Sequence, residues 1–453
     1  MTAAVVLGGG FAGVLAAVVL ARHVERVTLV EGGRYPAGPV ARPELPQGYH
    51  SHVLVTGGMR ALEALLPGTE DALYAHGAHR RRLTGDALIL SADGWFRRHD
   101  TDTYLISGSR WLVDQVVRQQ ALVGDTMSVR EGTHVLGLLG TRSRVTGVLV
   151  RRPDSGTEAI RADLVVDATG RRSRAVRWLA GIGAYGVAEA TIDPGLAYST
   201  RVYRAPTDLA GTIPAIMIHP RPEPSRPSYG ATLFPIEDDR WIVTLTGTRD
   251  SAPPTDEQGF TDCAYSLRSP LVAELMAAAT PAGGVRPYRA TANRRRYFER
   301  GPRPDGFLVV GDALVAVNPV HSHGMSVAAL SALRLADHLD RHGTEPTVLP
   351  GVQVAVAAEA DRSWRMATGV DRPAKRPATP FERLILARRS RAVLSSPALM
   401  AEMFRAQALL LPARAKVAVE AAPPQPALSA DEAIAQYPGI ATWWLSNQVG
   451  RQS

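Results

Sequence analysis

The sequence is poor in cysteine and lysine, and it has no long apolar run. Its 453 residues include a single cysteine, Cys263. One cysteine excludes an intramolecular disulfide and any redox pair or metal site built from several cysteines. It fits a reducing compartment, so we expect a cytoplasmic protein. No apolar stretch reaches the ~18 residues that a membrane span requires, so no transmembrane segment is predicted.

The scarcity of lysine shapes the charge of the chain. Only Lys375 and Lys416 are lysines, so arginine supplies nearly all of the basic side chains behind a formal net charge of +8. The longest basic runs, at 80–82 and 294–296, have three residues each. Proteins that bind nucleic acids gather basic residues into a patch or stripe. We therefore expect no nucleic-acid partner, and we interpret the arginines as solvated surface or as partners of an acidic cofactor.

A glycine-rich turn follows the first apolar run of the chain. The run at 3–7 favours a short strand, and residues 12–22 have the composition of a buried helix. The turn between them has the spacing G-x-G-x-x-G, with Gly8, Gly10 and Gly13 at the glycine positions. These glycines respectively allow a tight turn, a close approach of the backbone to a pyrophosphate, and close packing of the helix on the strand.

An acidic residue follows at the distance that this motif requires. Glu31 ends a second apolar run, at 27–30, and lies 18 residues beyond Gly13. A carboxylate there can accept hydrogen bonds from ribose hydroxyls, while the helix N-terminus at Phe11 and Ala12 favours the phosphates. The stretch predicts a dinucleotide site, but by itself it does not distinguish FAD from NAD.

A second motif, near residue 310, selects FAD. Asp312 follows an apolar run at 307–310, and Gly324 and Met325 open a long helix rich in Ala and Leu. An aspartate at the end of a strand can bind the ribityl hydroxyls of a flavin. A helix N-terminus can direct its N–H groups at the pyrimidine edge of the ring, where negative charge develops on reduction.

The order of the motifs resembles that of a known family. A third glycine turn, at Gly170, follows the apolar run 163–167. Together the three motifs resemble group A FAD-dependent monooxygenases of the para-hydroxybenzoate hydroxylase type over roughly residues 1–345. Within that family, the stretch from Arg42 to His52 is most similar to the branch of actinobacterial polyether epoxidases.

The resemblance implies the fold and its division. We expect an α/β protein with a glutathione-reductase-type FAD-binding Rossmann domain, an inserted and mostly antiparallel β-sheet substrate domain, and a helical C-terminal region. A Pro- and Ala-rich linker is predicted at Ala421–Ala427. The expected bounds are 1–70, 102–184 and 302–345 for the FAD-binding domain, 71–101 and 185–301 for the substrate domain, and 346–453 for the helical region.

The resemblance also implies further contacts to FAD. Arg42 would contact the phosphates, Arg110 would be the basic partner of the diphosphate at the start of its helix, and Val135 would touch the adenine through its backbone. No metal is expected, because no cluster of acidic residues or cysteines accompanies the histidines.

One loop departs from the family pattern. Members often have P-x-[YF]-G-Q-G-M before the last Rossmann helix, whereas this chain has Pro-Val-His-Ser-His-Gly-Met at 319–325. His321 and His323 therefore lie where the flavin face is expected. They are candidate catalytic residues, as a proton donor or as polar groups near the reacting oxygen. The alternative is that both are loop histidines whose hydrogen bonds are satisfied by backbone.

The activity implied is that of a monooxygenase. It would epoxidise or hydroxylate an apolar natural-product intermediate, such as a polyketide, with O2, through a C4a-hydroperoxyflavin. NAD(P)H would be the reductant, with or without a separate flavin reductase. Two alternatives stay open: a non-redox, FAD-containing cyclase of the Diels–Alderase type, for which the histidine loop is the only hint, and an alkene-saturating enzyme similar to geranylgeranyl reductase.

Overall fold

A computed structural model describes residues 2–152, 156–221, 228–371, 379–411 and 426–452. The linker predicted at Ala421–Ala427 lies outside these ranges except for its last two residues. Within these ranges, no helix combines the length and the apolar character needed to cross a membrane.

The strands and helices of the described residues are numbered in chain order. The strands are β1 Ala3–Leu7, β2 Arg26–Val30, β3 Val53–Val55, β4 His79–Arg82, β5 Ala87–Leu90, β6 Tyr104–Ser107, β7 Met127–Arg130, β8 His134–Gly140, β9 Val145–Arg152, β10 Gly156–Arg161, β11 Leu164–Asp167, β12 Glu189–Ile192, β13 Leu196–Arg204, β14 Ala215–Ile218, β15 Gly230–Ile236, β16 Arg240–Thr248, β17 Thr280–Pro281, β18 Arg286–Tyr288, β19 Asn293–Arg296, β20 Phe307–Val309 and β21 Val315–Ala316. The helices are α1 Phe11–Ala21, α2 Thr56–Leu65, α3 Thr69–Ala75, α4 Arg110–Ala121, α5 Ala175–Gly181, α6 Glu257–Tyr265, α7 Leu271–Ala278, α8 Gly324–His342, α9 Leu349–Asp371, α10 Pro380–Ser395, α11 Pro397–Gln407, α12 Ala430–Ala435 and α13 Pro438–Gln452.

A parallel five-stranded sheet, in the order β20-β11-β1-β2-β7, forms the centre of the FAD-binding region. Every residue of β11 is buried, as expected for a strand covered on both faces. Helices α1 and α8 pack together over this sheet, and three-stranded sheets flank it. The predicted Rossmann-type α/β fold is thus confirmed.

The largest sheet is mostly antiparallel, as the sequence predicted, and runs β17-β13-β16-β15-β14-β5, with β18 also paired to β13. Its side chains alternate between two faces. On one face Tyr203, Trp241 and Leu233 form a core with α6 and α7. We call the other face, which carries Tyr198, Thr200 and other side chains of β13–β16, the cleft face. The helices α6 and α7 were not predicted from the sequence.

The helical C-terminal region divides between the two layers. Helix α9 packs beside α8 and against the edge strand β20. The Gln353 side chain accepts from the Val309 N–H (2.9 Å) and donates to the Val309 carbonyl (3.1 Å), which satisfies that open edge. Helices α12 and α13 instead join the core behind the large sheet, through Ile434, Tyr437 and Ile440. The domain bounds expected from the sequence stay a prediction.

Candidate cofactor cleft and active site

The sequence motifs converge on one edge of the parallel sheet. Strands β1, β2, β11 and β20 end at this edge, and they are followed respectively by Gly8, Glu31, Gly170 and Asp312. Ligands of open α/β sheets bind outside the carboxyl ends of the strands. We call the groove at this edge the cofactor cleft.

Glycine is favoured at each of the three positions of the first motif for a different local reason. Gly8 has φ of +92°, a left-handed conformation that favours glycine. A Cβ on Gly13 would lie 1.8 Å from the Gly8 carbonyl oxygen, so only glycine lets α1 approach β1 this closely. A Cβ on Gly10 would meet nothing within 4 Å. Gly10 therefore borders open space at the N-terminus of α1, where Phe11 and Ala12 follow, and this space fits a bound phosphate group.

Glu31 organises the adenosine end of the cleft. Its carboxylate accepts hydrogen bonds from the backbone N–H groups of Gly9 (2.7 Å) and Gly33 (2.8 Å). The Tyr35 hydroxyl donates to the Gly9 carbonyl (2.9 Å), and burial raises the pKa of that phenol. The carboxylate is thus fixed between the glycine turn and the end of β2, where it keeps acceptor capacity for ribose hydroxyls.

A buried arginine lies beside Glu31. Arg42 Nη2 is 3.2 Å from a Glu31 carboxylate oxygen, yet Nε and Nη1 of Arg42 have no hydrogen-bond partner among the described residues. Arg110 donates to Asp114 Oδ1 at 2.8 Å, and the second Asp114 oxygen is also buried without a partner there. Buried polar atoms of this kind need a partner. Unused guanidinium donors beside a helix N-terminus fit an anionic diphosphate.

A cavity of about 490 Å³ continues from this cluster. It is lined by the loop after β2 and by the turn between β7 and β8, including Gly33, Arg42, Gly132 and His134. Val135 follows directly in β8 and packs partly buried against the core. The cavity lies where an adenosine beside Glu31 would need room, and its backbone edges offer hydrogen-bonding groups to a base.

The other end of the cleft lies at Asp312 and α8. Asp312 follows β20, and its carboxylate is 3.6 Å from Arg171 Nε. A Cβ on Gly324, the first residue of α8, would have only the Asp312 carboxylate within 4 Å. Gly324 thus leaves the N-terminus of α8 open toward Asp312, with Met325 buried as the next residue. The arrangement can receive the ribityl chain and the ring of a flavin.

The structure places His323 away from the open cleft. The imidazole is buried, with Nδ1 3.0 Å from Ser363 Oγ and Nε2 3.0 Å from the Gln407 carbonyl. Burial, together with the neighbouring His321, lowers the pKa of His323 to about 4. Both ring nitrogens therefore bind the C-terminal helices, which favours the structural alternative raised for this residue.

His321 has a different environment. Its Nε2 lies 3.1 Å from Asp371 Oδ1, while no hydrogen bond to its Nδ1 is formed by the described residues. Asp371 is the last residue of α9 and was not identified from the sequence. Burial opposes ionisation of this carboxyl, but hydrogen bonds from His321 and two asparagines hold its pKa below the usual value.

The cleft face of the large sheet is hydrogen-bonded to the start of this loop. The Tyr198 hydroxyl donates to Asn318 Oδ1 and accepts from the Val320 N–H at 3.0 Å. Tyr198 stacks on Tyr288 with 6.3 Å between ring centroids. The flavin end of the cleft and the large sheet therefore meet at the loop before α8, and Tyr198 joins them.

A second hydrogen-bonded cluster connects the sheet to the loop after Arg42. His50 Nδ1 is 2.8 Å from Thr200 Oγ1, Thr200 is 2.7 Å from Thr244, and Ser51 is 2.8 Å from Thr244. Burial lowers the pKa of His50 to about 3, so this imidazole is neutral near pH 7. Across the described ranges, no three His, Cys, Asp or Glu side chains gather to hold a metal ion.

The aromatic residues in and around the large sheet are mostly core. Trp95, Tyr203 and Trp241 belong to the core behind the large sheet, and Tyr229 packs against it. Phe96 lies in the main core. The aromatic rings near the loop before α8 are instead Tyr198 and Tyr288, which sequence reasoning missed because their place depends on sheet register.

Comparison with known proteins agrees with this geometry. The family model described as "FAD binding domain" matches residues 1–346. The chain belongs to this family. It is a family of FAD-dependent monooxygenases, which supports the assignment of the chain as an FAD-dependent enzyme. The narrower likeness to the branch of polyether epoxidases stays a prediction.

Two relatives of this FAD-binding family align over most of their length. The chain is 30% identical to Protein Rv3254 of Mycobacterium tuberculosis over 343 residues, which cover 73% of this chain and 71% of that one. It is 27% identical to a kynurenine 3-monooxygenase of Salinispora tropica over 375 residues, or 79% and 77% of the two chains.

Solved structures share the fold at low sequence identity. The p-nitrophenol 4-monooxygenase PnpA of Pseudomonas putida has a TM-score of 0.66 at 19% identity, covering 90% of this chain and 99% of its own. The flavin-dependent brominase Bmp2 gives 0.67 at 16%, with 90% and 94% covered. The Diels-Alderase PyrE3 gives 0.62 at 17%, with 90% and 81% covered.

Proposed function

We propose that the chain is an FAD-dependent monooxygenase that epoxidises or hydroxylates a largely apolar natural-product intermediate, such as a polyketide, with O2 and with NAD(P)H as reductant. The observation that carries this proposal is a convergence at one edge of the sheet. The glycine turn and Asp312 follow neighbouring parts of the same sheet edge, and Tyr198 of the cleft face is hydrogen-bonded to the loop before α8. Such an arrangement can hold an extended dinucleotide and an organic molecule above its ring.

The cofactor-binding residues have distinct proposed roles. Glu31 holds the adenosine ribose, and Val135 offers its backbone to the adenine. Arg42 and Arg110 neutralise the diphosphate at the N-terminus of α1. At the other end, Asp312 binds the ribityl chain, and the backbone of Gly324 and Met325 faces the pyrimidine edge of the ring.

Bound FAD would supply the redox and oxygen chemistry, and the protein would bind, orient and shield the substrate. The cleft face carries the ring of Tyr198, stacked on Tyr288, and the hydroxyls of Thr200 and Thr244. Aromatic rings with a few hydroxyls suit a large apolar substrate that carries a few hydroxyl or carbonyl groups. Exclusion of water by such a substrate would protect the reacting centre.

The test begins with the holoprotein under anaerobic conditions. NADPH is added, and the visible absorbance of the flavin is followed with and without a panel of polyketide-type alkenes and phenols. We expect bleaching, then oxygen uptake when air is admitted, and ¹⁸O from labelled O2 in the product. Protein stripped of FAD is the control and should consume no oxygen. Flavin that NADPH and NADH leave oxidised with every compound would contradict the proposal.

One alternative receives support from a specific neighbour. The structural likeness to a Diels-Alderase, together with the unusual His321-Ser322-His323 sequence, favours a non-redox FAD-containing cyclase as the second candidate. That enzyme would convert a linear polyene to its cyclic isomer without reductant or oxygen. Product formation with flavin that stays oxidised would support the cyclase and reject the monooxygenase.

A further inference from the structure

Asp371, the last residue of α9, places a carboxylate beside the loop before α8, and each of its hydrogen bonds has a defined direction. Asp371 Oδ2 accepts from the side-chain amides of Asn293 (2.7 Å) and Asn318 (3.3 Å). Asp371 Oδ1 faces His321 Nε2 at 3.1 Å. The carboxylate therefore lies between two asparagines on one side and one imidazole on the other.

Backbone groups fix the orientation of both asparagines. The Asn318 N–H donates to Asn293 Oδ1 at 2.7 Å, and the Val320 N–H donates to Asn318 Oδ1 at 3.2 Å. A backbone N–H can only donate, so each amide must turn its oxygen toward that N–H and its NH2 group toward Asp371. Oδ2 of Asp371 is thus committed to accepting two hydrogen bonds.

This determines which imidazole nitrogen carries a proton toward Asp371. An ionised carboxylate can only accept, so His321 Nε2 must carry a proton. In the neutral imidazole, Nδ1 is then unprotonated and is a hydrogen-bond acceptor. Within the described part of the chain nothing occupies that acceptor, and the His321 side chain is 15% exposed against 5% for Asp371.

We propose that Asp371 is a positioning residue that holds His321 in the Nε2–H tautomer, so that Nδ1 is offered as an acceptor at the flavin end of the cleft. The matching group on the substrate must carry a proton, so the inference narrows the substrate class to molecules with a hydroxyl or N–H near the reacting atom. The role of His321 as an acceptor for the substrate rests on the proposed function, whereas the tautomer of His321 does not.

Substitution by asparagine makes a sharp prediction. In Asp371→Asn the new side chain is an amide with one oxygen and one NH2 group. If its NH2 group faced Asn293 and Asn318, it would meet only their NH2 groups, and no acceptor would be present for these donors. The new amide must therefore turn its oxygen toward the asparagines and its NH2 toward His321. Nε2 of the imidazole then has to accept, and the proton moves to Nδ1. The variant should thus invert the tautomer and convert Nδ1 from acceptor to donor.

The experiment is ¹⁵N NMR of the histidine side chains in the labelled holoprotein, at a pH where His321 is neutral. The His321 signals are identified by their loss in His321→Gln. We expect the proton on Nε2 in the wild type and on Nδ1 in Asp371→Asn. Asp361→Asn is the matched control on the same helix, because Asp361 pairs with Arg365 and Arg295. It should leave His321 unchanged.

Two NMR results would overturn the proposed role of Asp371. A wild-type His321 protonated on Nδ1, or an even mixture of tautomers, overturns the proposal without any variant. An unchanged Nε2 proton in Asp371→Asn also overturns it, provided that the circular dichroism and flavin absorbance match the wild type. If the tautomer results hold while NADPH fails to reduce the flavin, the proposed function fails and the positioning role stands.

Discussion

The two ends of the cofactor cleft are built in different ways. The adenosine end comes mainly from the first 42 residues, where β1, α1 and β2 bring Gly10, Glu31 and Arg42 together. The flavin end joins three segments that are far apart in sequence: Tyr198 from β13, the loop at 318–323, and Asp371 at the end of α9.

The two ends also differ in the kind of interaction they offer, which is charge at the adenosine end and directional hydrogen bonding at the flavin end. The adenosine end contains the buried Arg42, two of whose donors have no partner among the described residues, and such donors suit a dianionic diphosphate. The flavin end contains imidazoles, amides, hydroxyls and the Asp371 carboxylate, whose donors and acceptors are mostly matched within the protein. We therefore expect variants of the first end to change cofactor affinity, and variants of the second to change stability, pH response and substrate orientation.

The largest effect is expected at the turn between β1 and α1. In Gly13→Ala the new Cβ would lie 1.8 Å from the Gly8 carbonyl oxygen. Relief requires a shift of α1 and should cost about 3 kcal/mol or more. Thermal unfolding and FAD retention after purification measure this. Gly10→Ala is the matched control: it should fold normally and lose only FAD affinity. Wild-type melting and full FAD content in Gly13→Ala would contradict the prediction.

The next effect concerns acid stability at the flavin end. Burial lowers the pKa of His323 to about 4, whereas an unfolded histidine has a pKa near 6.5. Below 6.5 the unfolded state binds more protons, so stability is fully present above pH 6.5 and falls toward pH 4, by up to about 3 kcal/mol. Urea unfolding across this range should show a smaller loss in His323→Gln, since glutamine does not titrate. Equal slopes for both proteins would exclude His323 as the cause.

A smaller effect is expected from the buried arginine of the adenosine end. Arg42→Met keeps an apolar stem of similar length but removes the guanidinium donors. We expect FAD affinity to fall at least about tenfold, or ~1.4 kcal/mol, while the apoprotein loses little stability because two of those donors have no partner in the described chain. Fluorescence titration of apoprotein with FAD measures this. Arg161→Met, at an exposed position of β10, should bind FAD as the wild type does.

The smallest effect tests the contact between the sheet and the loop before α8. Tyr198→Phe removes the hydroxyl that bridges Asn318 and the Val320 N–H. The buried partners lose hydrogen bonds, which should cost about 1 kcal/mol. FAD affinity should hold, while the visible spectrum of the flavin shifts. Tyr203→Phe, on the opposite face of β13, should leave that spectrum unchanged; a shift of the same size there would remove the distinction between the two faces.

The sequence by itself determined the adenosine end and the class of fold. Glycine spacing, alternating apolar runs and the position of Glu31 are local properties, because one β-α-β unit of about 30 residues brings its own functional groups together. The strand before Asp312 and the helix at Gly324 were predictable for the same reason. The antiparallel insert was expected from the family resemblance, although the short helices α6 and α7 within it were not foreseen.

Only the tertiary structure decided the environment of the histidines. From the chain alone His321 and His323 are equivalent, two residues apart in one loop. In the fold, one meets the carboxylate of Asp371, 50 residues away, and the other meets Ser363 and the Gln407 carbonyl. The loop bends at Ser322, which has φ of +55°, and it is contacted by α9 and α11, which both follow it by tens of residues in the sequence. Long-range packing of this kind leaves no local pattern in the sequence. Hydrophobic periodicity predicts which residues are buried, but it does not predict which residues they contact.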